Sequence, residues 1–259
     1  MSNLIHPTAV IDPSAKIADS VKIGPYTIIG PQVEIGEHSE LFGHVSIERN
    51  TKIGAHNKIY PFASLGSAPQ HLGYKDEATH LEIGDHNTIR EYVTINRGTP
   101  KGRQVTKIGN HNYLMSLSHV AHDCTVGDHT IFANYAAVAG FVDVGNHANL
   151  GAYAGVHQFV RVGEYSFLGR GAKVYNDILP FMLVTGNPGI PHSLNSVGLK
   201  RHGFDDARLR MIKEAFTLIY LRRSTKAEIL AGLTELAQKS SDVAVILHMF
   251  ESSERGIAR

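Results

Sequence analysis

Residues 21–60 read VKIGPYTIIGPQVEIGEHSELFGHVSIERNTKIGAHNKIY, and an aliphatic side chain returns at every sixth position of this stretch. The same register extends back to Ile11 and forward to Leu65 without a gap. A period of six matches neither an α-helix nor a long alternating strand, so each unit must be a short strand followed by a turn. Three units of six residues close one triangular coil, which predicts a parallel β-helix with residues eighteen apart stacked one above another.

The six-residue register is interrupted twice. It breaks over residues 66–82 and again over residues 96–107, and it otherwise continues as far as Val174. Each break adds too many residues for a β-bulge. We therefore predict two loops that leave the prism, of the size that often carries function.

The pattern changes to helix signals near residue 190. Helix starts are predicted at Asp205, at Thr225, which opens a capping box, and near Ser241. The sequence therefore predicts a mainly β domain over residues 1–190 and a C-terminal α-helical domain over residues 191–259.

Composition narrows the class of protein. The chain has 259 residues, 42% of them hydrophobic, with one cysteine and a net charge of +1. One cysteine builds no disulfide framework, and no apolar run is long enough for a membrane span. We expect a cytoplasmic protein without stable membrane insertion, and the charge gives no reason to expect nucleic acid as a partner.

The sixteen histidines fall into two groups. Six occupy the same Gly-x-His turn of the repeat and are expected to be structural: His38, His56, His86, His111, His129 and His147. His119, His122 and His157 instead fall at positions that point away from the packed interior. Burial in the core does not explain these three, so they are candidate functional residues.

Coil arithmetic places His122, Gly140 and Gln158 in one column, because they are eighteen residues apart. A base at His122 with a backbone N–H near Gly140 one coil above is the geometry that acyl transfer requires. Asp123 would orient the imidazole. A purely structural turn at His122 and Asp123 remains the alternative. Cys124 occupies an inward slot, as Ser118 does, which argues against a covalent nucleophile.

Several motifs carry a resemblance to a known family: Asn-Arg-Gly-Thr from residue 96, His-Val-Ala-His-Asp-Cys-Thr-Val-Gly from 119, Val-His-Gln-Phe from 156 and Gly-Leu-Lys-Arg from 198. The repeat resembles the hexapeptide-repeat proteins, whose fold is a left-handed parallel β-helix. Over essentially its whole length the chain is similar to the UDP-N-acetylglucosamine acyltransferases, which perform the first step of lipid A biosynthesis in Gram-negative bacteria.

That resemblance implies transfer of a (3-hydroxy)acyl group from acyl carrier protein to the 3-position of UDP-N-acetylglucosamine. It implies a homotrimer with sites between neighbouring prisms, and no cofactor beyond the donor's own phosphopantetheine arm. His122 would be the general base, Asp123 its partner and Gly140 the oxyanion donor. The implied substrate contacts are Gln70, His71, His119, His157, Gln158, Asn195 and Arg201.

The chain departs from the family pattern at six positions, which are His71, Gly73, Asn96, Phe141, Val197 and His202. These departures leave open whether the acceptor carries a 3-hydroxyl, giving an ester, or a 3-amine, giving an amide. Arg170 stands where the family has a small or apolar residue in the acyl groove. It predicts a shorter acyl chain unless its side chain turns to solvent.

Local charge supports an acidic protein donor. Residues 200–226 contain eight basic and three acidic residues, and acyl carrier proteins are acidic. The predicted contact patch is Lys200, Arg208, Arg210, Lys213, Arg222 and Arg223. The alternative is an ordinary solvated helix face.

Two other functional classes fit the prism less well. A trimeric zinc enzyme of the carbonic anhydrase type needs three converging histidines, and His119 and His122 are more closely spaced than the paired ligands of that family. Measurement of the zinc content of the purified protein distinguishes this alternative from the acyltransferase. A structural or ice-binding β-helix would show regular threonine ladders, whereas the outward positions here are irregular.

Overall fold

The structure is a computed structural model that describes residues 4–259. Most of its strands are two residues long, as a six-residue repeat of strand and turn requires. In chain order the strands are β1 (Val10–Ile11), β2 (Lys16–Ile17), β3 (Lys22–Ile23), β4 (Ile28–Ile29), β5 (Glu34–Ile35), β6 (Glu40–Leu41), β7 (Ser46–Ile47), β8 (Thr51–Ile53), β9 (Lys58–Ile59), β10 (Ser64–Ser67), β11 (His80–Ile83), β12 (Thr88–Ile89), β13 (Thr94–Asn96), β14 (Val105–Ile108), β15 (Tyr113–Leu114), β16 (His119–Val120), β17 (Thr125–Val126), β18 (Ile131–Phe132), β19 (Ala137–Val138), β20 (Asp143–Val144), β21 (Asn149–Leu150), β22 (Gly155–Val156), β23 (Arg161–Val162), β24 (Phe167–Leu168), β25 (Lys173–Val174), β26 (Met182–Thr185) and β27 (Ile190–Leu194).

These strands form the three sheets of a left-handed parallel β-helix. The first sheet runs β1-β4-β7-β10-β13-β16-β19-β22-β25, the second β2-β5-β8-β11-β14-β17-β20-β23, and the third β3-β6-β9-β12-β15-β18-β21-β24-β26-β27. Outside the loops, parallel pairing up to β25 joins residues eighteen apart, as Ile11 with Ile29, whereas β24 and β26 pair residues sixteen apart, as Phe167 with Leu183. Only the pairing of β26 with β27 is antiparallel among the described strands.

The repeating aliphatic residues form the core of the prism. From Ile23 to Val174 every one of them is buried, whereas Ile11 and Ile17 are half-buried near the open N-terminal end. Burying such a side chain contributes about 1.5–3 kcal/mol relative to leaving it in water. Small residues fill the corners, where Thr27 Oγ1 donates to the Phe42 carbonyl at 2.9 Å and so satisfies a buried polar pair.

The six turn histidines stack in one column, as their structural role predicts. Each sits in the left-handed region of backbone space, with φ between 56° and 58°. Neighbouring rings from His38 to His147 are 4.6 to 5.0 Å apart between centroids. Their spacing matches that of the strands, so the ladder follows directly from the repeat.

Both excursions are shorter than the interrupted register suggested. The first loop spans residues 68–79, because β10 continues to Ser67 and β11 begins at His80. The second spans residues 97–104. The predicted bounds of 66–82 and 96–107 were too wide, because ladder pairing continues beyond the last aliphatic residue, as between Leu81 and Thr106.

The C-terminal part is helical after the hairpin β26–β27, and β27 extends across the predicted boundary at residue 190. The helices are α1 (Ser196–Arg201), α2 (Asp206–Phe216), which continues as a π-helical turn (Thr217–Leu221), α3 (Lys226–Ala237) and α4 (Ser241–Glu251). Asp205 and Thr225 cap their helices as predicted, and Ser240 caps the last one. The short α1 and the π-helical turn had no sequence signal.

The helical part is attached to the end of the prism through polar contacts. Arg161 bonds the buried carboxylate of Asp177 and reaches Ser252 Oγ at 3.1 Å. Asp177 also forms an isolated parallel β-bridge with Ile257, so the segment after α4 packs against the end of the prism. Within residues 4–259 no helix is both long and apolar enough to cross a membrane.

Candidate active site

A cleft of about 490 Å³ lies on the outer face of the first sheet, beside the corner where β16, β19 and β22 end. It brings together six of the residues that the sequence nominated: Gln70, His119, His122, Gly140, His157 and Gln158. The column predicted by coil arithmetic is present, since Phe141 N donates to the His122 carbonyl at 3.0 Å and Phe159 N donates to that of Gly140 at 3.1 Å.

Asp123 fixes the orientation of the His122 imidazole. Oδ2 of Asp123 is 2.8 Å from Nδ1 of His122, and the carboxylate is fully buried. Burial alone would raise the pKa of Asp123, but hydrogen bonds from His122, Thr99 and Arg103 outweigh it and lower that pKa. An ionised carboxylate only accepts, so Nδ1 of His122 donates in this hydrogen bond, and in the neutral imidazole Nε2 is the acceptor.

The second loop holds this carboxylate in place. Thr99 donates to Asp123 from its backbone N–H at 3.0 Å and from Oγ1 at 2.7 Å. The Arg103 N–H donates to Oδ1 at 2.8 Å. Gly102 allows this approach, because a Cβ there would lie 2.7 Å from the Asp123 carboxylate. The Asn-Arg-Gly-Thr motif includes Thr99, but no sequence pattern predicted the contacts of Thr99 and Arg103 with Asp123.

Gly140 lies directly against the imidazole of His122. A Cβ at Gly140 would be 2.6 Å from Cε1 and 2.9 Å from Nε2 of His122, so any side chain would displace the ring. The Gly140 N–H donates to no acceptor within the described residues 4–259. A free backbone donor thus stands one coil above the imidazole of His122.

His119 lines the same cleft from β16, the strand that directly precedes His122. Its Nδ1 is 2.7 Å from Thr94 Oγ1. Burial of the ring lowers the pKa of His119 despite the opposing bond to Thr94, and the nearby His122 lowers it further. The imidazole is therefore neutral at pH 7, which suits a hydrogen-bonding contact to a substrate.

His157 and Gln158 stand exposed at the upper side of the cleft. Nδ1 of His157 is 3.2 Å from the Gln158 carbonyl oxygen, which accepts a hydrogen bond from it. Gln70 reaches the cleft from the first loop. These three residues are free to contact a ligand.

Three of the departures from the family pattern, at His71, Gly73 and Phe141, lie near His122. The rings of His71 and Phe141 stand edge-on to His122, with centroids 5.9 and 5.5 Å away. Nδ1 of His71 accepts from the Gly73 N–H at 3.1 Å, and a Cβ at Gly73 would lie 2.9 Å from Cε1 of His71. The changes at His71 and Gly73 are therefore coupled, because the ring needs the space that the glycine leaves.

The first loop is anchored beneath by a buried arginine. Arg97 is 1% exposed, donates to the Gly66 carbonyl and reaches the Tyr74 hydroxyl at 3.0 Å. Asn96, another departure, donates from Nδ2 to the Ala68 carbonyl at 2.9 Å. Asn96 therefore supports the loop that carries Gln70.

Other nominated residues lie outside this cleft in the protomer. Asn195 caps α1, with Oδ1 accepting from Gly198 N at 3.2 Å and Nδ2 donating to the Tyr165 carbonyl at 2.9 Å. Arg201 is exposed at the end of α1. Arg170 has turned outward, with its guanidinium 5.8 Å from the centroid of Tyr153. Its length and positive charge favour this solvated position.

The predicted basic patch is reduced by internal ion pairs. Arg208 makes two hydrogen bonds to Asp242, at 2.9 and 2.8 Å, and stacks on Phe204. Lys200 pairs with Asp206 at 3.6 Å. Arg208 is thus part of the helical packing and does not belong to a free patch.

The remaining basic residues gather at a second cleft. Arg210, Lys213 and Arg222 line a space of about 520 Å³ between α2, the π-helical turn and α3. Arg223 is exposed next to them. Glu214 and Glu235 also line this cleft, so its basic residues outnumber its acidic ones by one. It is the part of the predicted patch that remains available to an acidic partner.

A covalent mechanism with Cys124 or Ser118 as the nucleophile is excluded, because both side chains are buried. Cys124 and Ser118 both point inward, and burial raises the pKa of the Cys124 thiol to about 12. A thiol of that pKa provides no thiolate at pH 7. Within residues 4–259 no group of three or more histidine, cysteine or acidic side chains is arranged to hold a metal ion.

Comparisons with known proteins point to acyltransferases in both the repeat region and the C-terminal region. Residues 177–258 match the family model described as UDP-N-acetylglucosamine O-acyltransferase, domain 2, and residues 4–37 and 106–140 match the bacterial transferase hexapeptide model. A relative from Halorhodospira halophila named acyl-[acyl-carrier-protein]–UDP-N-acetylglucosamine O-acyltransferase is 48% identical over 200 residues, which cover 77% of this chain and 78% of the relative.

Solved structures show the same likeness over nearly full length. The UDP-N-acetylglucosamine O-acyltransferase of Moraxella catarrhalis RH4 superposes with a TM-score of 0.96 at 45% identity, covering 99% of this chain and 100% of the other. The UDP-N-acetylglucosamine acyltransferase of Francisella novicida gives a TM-score of 0.96 at 39% identity, covering 98% and 94%.

Proposed function

The chain belongs to the UDP-N-acetylglucosamine O-acyltransferase family, and we propose that it moves a (3-hydroxy)acyl group from acyl carrier protein to the 3-position of UDP-N-acetylglucosamine. This reaction is the first step of lipid A biosynthesis. The observation that supports it most directly is the pairing of His122 with Gly140, a base and a free backbone N–H on adjacent coils.

Nε2 of His122 takes the proton of the acceptor hydroxyl as its oxygen attacks the thioester carbonyl carbon. Asp123 stabilises the imidazolium that forms. The carbonyl oxygen becomes negative in the tetrahedral intermediate and accepts a hydrogen bond from the Gly140 N–H. The carbon–sulfur bond then breaks, and the imidazolium returns its proton to the departing phosphopantetheine sulfur. The acyl ester and the free thiol are the products.

The donor's phosphopantetheine arm arrives with its substrate, so no resident cofactor is needed for these steps. Gln70, His71, His119, His157 and Gln158 surround the base and would hold the sugar and the acyl thioester. Acyl carrier protein would dock at the basic cleft of the helical domain, where opposite charges favour its approach.

The protein acts in the cytoplasm as a homotrimer in this proposal. Asn195 and Arg201 would then be supplied to each cleft by a neighbouring protomer. The exposed position of Arg201 is compatible with that arrangement. An obligate monomer with full activity would contradict it, and sedimentation of the active enzyme measures the difference.

A UDP-sugar with a 3-amine is the second candidate acceptor. It is favoured by the altered surroundings of the base, where His71 and Phe141 both stand edge-on to His122. A neutral amine is a better nucleophile than a hydroxyl and needs its proton removed only as the amide forms. His122 would serve both acceptors.

Mass spectrometry of the transfer reaction tests these proposals. Purified protein is offered 3-hydroxyacyl carrier protein with UDP-N-acetylglucosamine or with its 3-amino analogue, and His122→Ala is compared with a turn control, His129→Ala. Loss of the general base should lower kcat about 10²- to 10⁴-fold. Product from the amino sugar alone would reassign the acceptor, and no product from either sugar would refute the acyltransferase proposal.

A further inference from the structure

The side chain of Arg103 ties the second loop to the second sheet. Its Nη2 donates to Oδ2 of Asp143 at 2.9 Å, and its Nη1 donates to Oγ1 of Thr125 at 3.0 Å and to the other oxygen of the Asp143 carboxylate. Thr125 and Asp143 are in register on β17 and β20, so the guanidinium spans two successive coils. Within residues 4–259, no other side chain of residues 97–104 bonds to this sheet.

The backbone of Arg103 reaches the active site from the same position. Its N–H donates to Oδ1 of Asp123 at 2.8 Å, while the N–H and the hydroxyl of Thr99 donate to Oδ2. Gly102 N donates to the Thr99 carbonyl at 3.1 Å, so the residues that carry these donors form one closed turn. Fixing the side chain of Arg103 therefore also fixes the donors to the Asp123 carboxylate.

Asp143 lies outside the cleft that contains His122. It lines a separate cleft of about 310 Å³ on the second-sheet side of the corner, together with Arg103 and Phe141. A substrate bound beside His122 is therefore not in reach of the Asp143 carboxylate. Any effect of Asp143 on the reaction has to pass through Arg103 and the loop.

We propose that Asp143 is a positioning residue for the general base, because its ion pair with Arg103 holds the loop donors against Asp123. This inference rests on the acyl transfer proposed above. Without the ion pair, the turn keeps its internal hydrogen bond but loses its fixed place beside the Asp123 carboxylate. His122 then samples more orientations, and fewer of them present Nε2 to the acceptor hydroxyl.

An ordinary surface ion pair is the competing explanation. The side chains of Arg103 and Asp143 are 37% and 38% exposed, and pairs of such exposure contribute little to stability. Here the bidentate geometry and the additional bond to Thr125 restrict the guanidinium more than a single contact would. Both explanations expect a small change in melting temperature, so the rate of transfer and the mobility of the loop distinguish them.

The experiment combines transfer kinetics with hydrogen exchange of the loop 97–104, measured by mass spectrometry on the full-length enzyme. The variants are Asp143→Ala, Arg103→Gln and the reversed pair, in which Arg103→Glu is combined with Asp143→Arg. Each variant keeps the N–H of residue 103, so a loss of rate reports the position of the loop. Glu82→Ala is the matched control, because Glu82 pairs with Lys107 at 3.2 Å across two strands of the same sheet.

Asp143→Ala and Arg103→Gln should each lower kcat about fivefold, which is the upper effect of an ion pair of this exposure. KM for the UDP-sugar should stay within about twofold, because neither side chain lines the cleft that contains His122. The protected amides of the loop should exchange about fivefold faster in both variants. The reversed pair should return kcat to within about twofold of the native value, and Glu82→Ala should match the native enzyme.

Native kcat in Asp143→Ala and Arg103→Gln would overturn this inference alone, as would native exchange of the loop in both or an equal loss of kcat in Glu82→Ala. A reversed pair that is no faster than the single variants would also contradict it. A native enzyme that transfers no acyl group would overturn the proposed function and the catalytic effect of Asp143 with it. The exchange rates would still decide whether Asp143 holds the loop.

Discussion

Thr99 donates two hydrogen bonds to the buried carboxylate of Asp123, from its backbone N–H at 3.0 Å and from its Oγ1 at 2.7 Å. The two residues are twenty-four positions apart, which no stacking of eighteen-residue coils would predict. The second loop therefore supports the active site indirectly, because its residues hold the Asp123 carboxylate that orients His122. Thr99 is a positioning residue, since it acts through Asp123.

Thr99→Val should lower kcat roughly tenfold, because a hydrogen bond to a charged group contributes about 1.5–3 kcal/mol and its loss loosens the carboxylate. KM for the UDP-sugar should stay within about twofold, because Thr99 is not among the residues that line the cleft. Steady-state kinetics measure this split. Thr99→Ser, which keeps the hydroxyl, should restore kcat, and failure of that rescue would contradict the positioning role.

Gly140→Ala should lower kcat about 10²- to 10³-fold, because the new Cβ would displace the His122 ring from beneath the oxyanion donor. Transfer kinetics and the melting temperature should be measured together. Gly43→Ala is the matched turn control, since a Cβ there comes no closer than 3.1 Å to Pro25. A fully active Gly140→Ala would place the oxyanion donor elsewhere.

Stability should fall on acidification through His147. Burial of the ring lowers the pKa of His147, and the nearby His202 and His129 lower it further, against the opposing effect of Asp128. The unfolded chain, with a histidine pKa of about 6.5, then binds more protons than the folded chain. This contribution is fully present above about pH 6.5 and is lost as the pH falls toward the lowered folded pKa.

Urea unfolding at pH 7.5 and pH 5.5 measures this dependence. His147→Gln should show a smaller loss of unfolding free energy between the two pH values than the native protein. The same change at His248, on α4, should retain the native difference. An unchanged dependence in His147→Gln would assign the acid sensitivity to other groups.

The basic cleft of the helical domain should determine affinity for the carrier protein. Arg210→Glu combined with Lys213→Glu should raise KM for acyl carrier protein roughly tenfold and weaken its salt dependence, because both charges line the cleft. KM for an acyl-pantetheine donor without the protein should not change. Lys58→Glu is the charge control, and an equal loss with both donors would contradict docking at this cleft.

The six-residue repeat allowed the β-helix and the stacking of its coils to be predicted from the sequence. One apolar residue per repeat unit is enough to predict the strand-and-turn unit, and the coil length then follows by arithmetic. That arithmetic alone places Gly140 above His122, because stacked coils keep a constant offset. The inward position of Cys124 followed in the same way.

Loop contacts and the orientations of long side chains depended on tertiary structure. The loops interrupt the repeat, and a long side chain can adopt several positions at one place in the repeat. The contact of Thr99 with Asp123 arises in a loop, whose path obeys no periodicity. Arg170 turned to solvent while Lys173 folded over Gly155, although both are long cations near the same corner. A repeating pattern specifies backbone positions through the constant spacing of hydrogen-bonded strands, whereas side-chain direction and loop closure are decided by local contacts that only the assembled coils provide.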